Sequence, residues 1–345
     1  MTSEFGWKWR LADLPKPADD APKVFSTFSC GGGSSMGYKR AGFRVVGCCE
    51  IDPRVLRIYE TNLHPEHPVL ADLRDFNRQL RHDGIPDWLK DLDVLDGSPP
   101  CSTFSMSGSR EKAWGKDKVF REGQAKQRLD DLFFVFLDTV EILRPKVVIA
   151  ENVTGLVAGN AKGYVNEIAK RFHELGYSVQ LFKLNAAFMG VPQARRRVFF
   201  VANRMGFGKL RLDFHNQPIP FGMVRSATSD KTPPPSVRKY IRRALPTDRS
   251  LSAVCERMTG KGSFFNCVFA NDDKPCPTII AKCYDIRRCD GMLLSDIDVR
   301  NCSTFPQDYD FGDQDPRYVC GMSVPPNMTA NIARQVRRQW LDKEE

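Results

Sequence analysis

The stretch Lys23-Val24-Phe25-Ser26-Thr27-Phe28-Ser29-Cys30-Gly31-Gly32-Gly33-Ser34-Ser35-Met36-Gly37 decides the fold. Residues 23–28 read as a strand, the glycines as a tight turn, and the residues up to about 41 as a helix. Glycine lets the backbone reverse sharply and come close to a ligand. Working outward, residues 44–49 predict a second strand and 54–62 a second helix. Residues 92–95 predict a short strand that ends in Asp96-Gly97-Ser98-Pro99-Pro100. Leu129, Leu132, Phe133, Phe136, Val140 and Leu143 recur at helical spacing, and Pro145 stops that helix before a buried strand over 147–150. A helix over 165–175 and β-rich runs over 177–184 and 197–202 complete the pattern. Strand–helix alternation of this kind predicts an α/β chain. Its sheet should be mostly parallel, covered by helices on both faces, with ligands at the carboxyl ends of the strands.

The alternation stops near Asn203, and the chain to about Asp290 is rich in Pro, Arg, Gly and Ser. Pro233-Pro234-Pro235 marks a linker or turn there, and the basic run with Arg238, Lys239, Arg242 and Arg243 follows it. The expected division is an N-terminal extension over 1–22, a catalytic and cofactor domain over 23–203, a smaller irregular domain over 204–290, and a segment over 291–345 returning to the first domain. Residues 327–340 should form a terminal helix. Residues 1–22 lack the apolar core of a signal peptide and no run approaches a membrane span, so a cytoplasmic setting without membrane partners is expected. The 11 cysteines form no CxxC pair and sit beside only five histidines, which speaks against a zinc site or other bound metal. In a reducing compartment they are small buried side chains rather than a disulfide framework. The net charge of +9 favours a polyanionic partner.

Four segments carry chemistry. The glycine turn is one, with Glu50 some twenty residues on, where a carboxylate can accept two hydrogen bonds from a ribose; Asp72 stands at the next such position. A second is Pro99-Pro100-Cys101, in which prolines fix the backbone that presents a thiol at a strand end. That thiol is a nucleophile only as thiolate, so it needs a positive or dipolar neighbourhood. Glu151-Asn152-Val153 follows an apolar strand, and Gln193-Ala194-Arg195-Arg196-Arg197 is a dense cationic run.

In this order the four segments resemble the signature blocks of the cytosine-5 DNA methyltransferase family. The blocks ending at Phe305-Pro306 and spanning Gly321–Pro325 extend the resemblance, which covers about 23–340 apart from 203–275. It implies a Rossmann-like S-adenosylmethionine-dependent sheet with a small target-recognition domain. It also implies an enzyme that methylates carbon 5 of a flipped cytosine in a short duplex DNA sequence. On this resemblance Cys101 adds to carbon 6 of the ring and Glu151 serves ring nitrogen 3. One of Arg195 and Arg197 contacts the cytosine carbonyl, and the other holds a loop or phosphate. Phe28, Gly31, Gly33, Glu50, Ile51, Asp72 and Pro100 are expected around the cofactor. A loop over 102–123, with Gly108, Gly115 and Gly123 as hinges, should close on the DNA, because a base inside a duplex is out of reach of the thiol. Ser102, Thr278, Arg257 and Lys261 are expected against DNA, with Asn266 and Asn271 as further readers. The chain departs from the family at Cys30, Ser102, Ile297 and Met322, where glycine, glutamine, arginine and asparagine are usual. The implied setting is prokaryotic or phage-encoded, as a monomer beside a cognate restriction endonuclease. A tRNA-methylating offshoot would share the catalytic residues, and a silent DNA-binding module would lack only activity. The DNA-type blocks and the intact Cys101, Glu151 and arginine pair favour the DNA enzyme.

Overall fold

The computed structural model describes residues 5–100, 131–157, 162–264, 266–281 and 284–342. The chain forms two compact units, each built from separated stretches. One comprises Leu14–Leu184, Arg196–Asp213 and Thr329–Glu345; the other comprises Met1–Asp13, Asn185–Arg195 and Phe214–Met328. These units divide the chain at other places than the expected boundaries. Met1–Asp13 groups with the smaller unit and 14–22 with the sheet unit, Asn185–Arg195 leaves the sheet unit, 204–213 stays with it, and the return to it begins at Thr329.

In chain order the sheet unit contains β1 (Lys23–Thr27), α1 (Gly33–Arg40), β2 (Arg44–Glu50), α2 (Pro53–Leu63), β3 (His67–Leu70), α3 (Leu73–Asp83) and β4 (Val94–Gly97). After these come α4 (Leu132–Leu143), β5 (Val147–Val153), α5 (Lys162–Glu174), β6 (Ser178–Asn185) and β7 (Arg196–Asn203). The strand order is β3-β2-β1-β4-β5-β7-β6. The pairs among β1 to β5 are parallel, and β7 runs antiparallel to β5. Because β1 lies between β2 and β4, the order reverses beside it, the position at whose carboxyl ends open α/β sheets bind ligands.

Strand alternation sorts the side chains. Phe25, Val46, Leu95, Val148 and Phe200 face one side, where they pack with Phe76 and Leu80 of α3, Phe136 and Val140 of α4, and Ile168 and Phe172 of α5. The sequence pattern does not predict β3 and α3. The strand has four residues, one of them Pro68, and the helix carries its buried stripe on only Leu73, Phe76, Leu80 and Asn77. What fixes α3 is its ends. Asp72 accepts a hydrogen bond from the Arg74 amide at 2.8 Å, and Gly84 closes the helix at φ 85°.

The smaller unit holds α6 (Pro235–Ile241), α7 (Leu251–Thr259), the parallel two-residue strands β8 (Phe269–Ala270) and β9 (Ile286–Arg287), α8 (Asp296–Cys302) and α9 (Pro316–Met322). A small core of Val237, Leu251, Val254, Cys267, Phe269 and Ile286 organises the first part. Polar groups do much of the remaining work. Arg287 is fully buried and pairs with Asp290 at 3.0 Å and Asp298 at 3.4 Å. The N-terminal stretch is fixed here by the Trp9 indole, which donates to the Thr304 carbonyl at 2.8 Å. The last helix, α10 (Pro326–Val336), ends in a wider turn over Arg337–Leu341, close to the expected span. Among the described residues, no helix is long and apolar enough to cross a membrane.

Candidate active site

In the sheet unit, the carboxyl ends of adjacent strands gather most of the expected residues. The turn after β1 is tightly wound: Phe28 and Cys30 take φ of 50° and 45°, and Gly32 takes 79°. A β-carbon on Gly32 would come within 2.4 Å of Leu63 Cδ1 and 3.0 Å of Tyr59 Cδ2, so only glycine fits. The Cys30 amide donates to Glu50 Oε2 at 2.8 Å, while Ile51 and Asp52 amides donate to Oε1 at 2.9 and 3.0 Å. Burial raises the Glu50 carboxyl above the usual carboxylate range, and these three amides pull it back down. Asp72 stands one strand further, capping α3 and pairing with Arg74 at 3.3 Å. Phe28, Gly31, Gly33, Glu50, Ile51 and Asp72 therefore line the ends of β1, β2 and β3.

β4 leads into Pro99 and Pro100. The Asn152 amide at the end of β5 donates to the Pro99 carbonyl at 3.1 Å and so anchors the turn before the expected nucleophile. Cys101, Ser102 and the loop over 102–123 lie outside the described residues. Glu151, also on β5, pairs through Oε1 with Arg197 Nε at 2.7 Å, and each side chain is 12% exposed. Burial lowers the Arg197 pKa, and Glu151 opposes that shift.

The smaller unit holds the other part of the arginine run. Ala194 donates to the Cys276 carbonyl at 2.8 Å and Cys276 to the Pro192 carbonyl at 3.0 Å, so the two segments run side by side. Gln193 accepts from the Ile279 amide at 3.1 Å, and Thr278 Oγ1 donates to the Ala194 carbonyl at 2.8 Å. Arg195 is 2% exposed. Its Nη1 donates to the Ile279 and Gly321 carbonyls at 3.1 and 3.2 Å. Gly321 is required: a β-carbon there would lie 2.6 Å from the Ala281 amide nitrogen. Arg195 braces the Thr278 segment, and Arg197 joins Glu151.

Arg257, expected against DNA, pairs with Asp248. It donates to Asp248 at 2.7 and 3.0 Å and to the Arg243 carbonyl at 2.7 Å, while the side chain stays exposed. Lys261 is exposed just beyond Gly260, which ends α7. Sequence reasoning missed two anchors, Asn152 and Gln193. Each is a buried amide inside a motif whose charged neighbours drew attention first.

The model for C-5 cytosine-specific DNA methylases matches residues 22–247. A Type II methyltransferase of Haemophilus parahaemolyticus is 35% identical over 185 residues, covering 52% of this chain and 45% of that protein. M.HindV, a Type II methyltransferase of Haemophilus influenzae, is 28% identical over 331 residues, covering 91% and 96%. The chain spans about half the length of several such relatives, 45% to 50% in three of them. Among solved structures, one described as a DNA modification methyltransferase encoded within an E. coli prophage aligns with a TM-score of 0.67 at 17% identity, over 93% of this chain and 100% of that one. That likeness supports the fold assignment alone. With its glycine turn, strand-end carboxylates and paired Glu151 and Arg197 in a seven-stranded sheet of this order, the chain belongs to the C-5 cytosine-specific DNA methylase family.

Proposed function

We propose that the protein is a DNA cytosine-5 methyltransferase that uses S-adenosylmethionine and modifies a flipped cytosine within a short duplex sequence. The observation that carries this reading is the Glu151–Arg197 pair at 2.7 Å. It stands at the end of β5, next to the strand that leads into Pro99-Pro100-Cys101 and within the same sheet as Glu50. The donor set fits the cofactor. Glu50 and Asp72 are carboxylates at adjacent strand ends, suited to ribose hydroxyls and an adenine amine, and the 31–33 turn lies between β1 and α1 beside them. When bound, S-adenosylmethionine supplies an electrophilic methyl group.

The protein's own residues do the rest. The Cys101 thiolate bonds to carbon 6, and the displaced electron density of the 5,6 double bond makes carbon 5 nucleophilic. Glu151 holds a proton at ring nitrogen 3, and Arg197, fixed beside it, is placed to meet the cytosine carbonyl. After methylation a base, for which water suffices, removes the carbon 5 proton; the carbon–sulfur bond breaks and the thiolate leaves. The partners in this reading are duplex DNA and a companion restriction endonuclease, with the enzyme acting as a monomer in the cytoplasm of a bacterium or phage host. Thr278 and Lys261 face the DNA.

The test is a duplex oligonucleotide carrying 5-fluorocytosine, incubated with enzyme and S-adenosylmethionine. A covalent complex that survives denaturing electrophoresis is expected for wild type and should vanish in Cys101→Ser. No complex in wild type overturns the reading. Methyl transfer to tRNA but not to duplex DNA would move it to the tRNA branch.

A further inference from the structure

The strand that leads to the nucleophile carries a buried carboxylate where apolar packing would be expected. Asp96 is the third residue of β4, follows Val94 and Leu95, and is 5% exposed. Its two oxygens are both engaged. Ser26 Oγ on β1 donates to Oδ2 at 2.8 Å, and Tyr38 Oη on α1 donates to Oδ1 at 3.1 Å. The Asp96 carbonyl also accepts from Thr27 Oγ1 at 3.0 Å. β1 enters the glycine turn and α1 leaves it, so one carboxylate ties both flanks of that turn to the strand running into Pro99-Pro100-Cys101. This happens where the strand order reverses.

We propose that Asp96 is a positioning residue that couples the cofactor turn to the nucleophile strand through its hydrogen bonds to Ser26 and Tyr38. The inference rests on the methyltransferase reading and adds a residue to it. A carboxylate accepts from both hydroxyls at once. A carboxylic acid uses one oxygen as a donor, so one of the hydroxyls has to reverse from donating to accepting and redirect its own proton. Fixed dipoles around the turn therefore depend on the charge of Asp96. The titratable groups facing it are Tyr38 on α1, Tyr59 on α2 and Glu151 on β5. Burial, reinforced by Glu151, pushes the Asp96 carboxyl up to about 7, while Ser26 and Tyr38 hold it down. Both tyrosines are pushed above their ordinary range and stay neutral across that interval. Asp96 thus changes charge near neutrality.

The experiment measures S-adenosylmethionine affinity by calorimetry from pH 6 to 8.5 for wild type, Asp96→Asn and Tyr38→Phe. Wild type is expected to lose affinity toward acid with an inflection near pH 7, by about fivefold or more, the low end of coupling between sites. Asp96→Asn should bind at every pH as wild type binds in acid, giving a flat profile. Tyr38→Phe removes one donor and covers the case in which Asp96→Asn does not fold; it should bind more weakly than wild type at pH 8. Wild-type affinity at all pH values in both variants overturns the proposal and leaves the methyltransferase reading standing. A wild type that binds no S-adenosylmethionine at any pH overturns both.

Discussion

Replacing Asp96 with asparagine should make the sheet unit more stable at alkaline pH than at acid pH, relative to wild type. The folded carboxyl titrates near 7, against an ordinary value of 3.8. The folded pKa lies above the unfolded one, so the stability Asp96 contributes is fully present below about pH 4 and drains away as pH rises to about 7. A tenfold difference in proton affinity between the folded and unfolded states is worth about 1.4 kcal/mol, so the charged form costs the fold about 4 kcal/mol at pH 8 and about 1.5 kcal/mol at pH 5. Asparagine carries no such penalty. It does lose an acceptor for Ser26 or Tyr38, at about 1–3 kcal/mol, but that loss is the same at both pH values. The difference between the two pH values is therefore the sharper quantity. The stability of Asp96→Asn relative to wild type should rise by about 2–3 kcal/mol between pH 5 and pH 8. All other titrations are common to the two proteins and cancel. Urea denaturation at the two pH values measures it, and free-energy differences that agree within about 0.5 kcal/mol, the usual size of a surface substitution, would refute the reasoning. A side chain that destabilises its own fold at working pH is one expected to have a function, because folds hold such groups mainly where a site needs them.

The remaining predictions probe other parts of the site. Cys30 holds φ 45° where glycine is usual in the family, so Cys30→Gly should raise stability by about 0.5–1 kcal/mol, the left-handed strain less the added freedom of the unfolded chain, as read by thermal melting. Gly97 faces Phe136 and Thr27, and a β-carbon there would lie 2.5 Å from Phe136 Cε2 and 2.7 Å from Thr27 Oγ1. Gly97→Ala should cost about 1–3 kcal/mol by overpacking in the same melting assay. Because Arg257 is held by Asp248, Arg257→Ala should lower the stability of its unit yet leave the methylated sequence unchanged in bisulfite sequencing; an altered target would show that it reads DNA.

The local pieces of the sheet were legible because each has a short-range cause. The 31–33 glycines and the apolar run before them specify a strand, a turn and a helix without distant help, and Pro145 stops α4 by itself. Strand order was not legible, since β1 meets β4 across some seventy residues and nothing in either segment names its partner. The unit boundary was hidden for the same reason. Gln193 looks like a member of the β7 motif, but its hydrogen bonds go to Ile279 and the Cys302 carbonyl, far along the chain. Charge was the least informative signal. Arg257 and Lys261 look alike as candidate DNA contacts, both are exposed, and only the position of Asp248 gives Arg257 its ion pair.

The same reasoning explains why one motif needs two arginines that are not equivalent. Arg195 ends one stretch of its unit, and Arg197, two residues later, is the second residue of β7 in the other. At Arg195 the Ile279 and Gly321 carbonyls accept, so what matters there is a planar fork able to reach two separate backbone segments at once. At Arg197 the acceptor is a carboxylate at 2.7 Å with little exposure, so what matters is a charge that keeps Glu151 from standing alone in a low-dielectric site. A mutation at the first position moves the Thr278 segment without touching the chemistry of Glu151. A mutation at the second leaves that segment in place and strips the carboxylate of its partner. The spacing of the motif is therefore a geometric requirement. One short run must finish bracing the Thr278 segment before its next side chain enters the strand that meets Glu151.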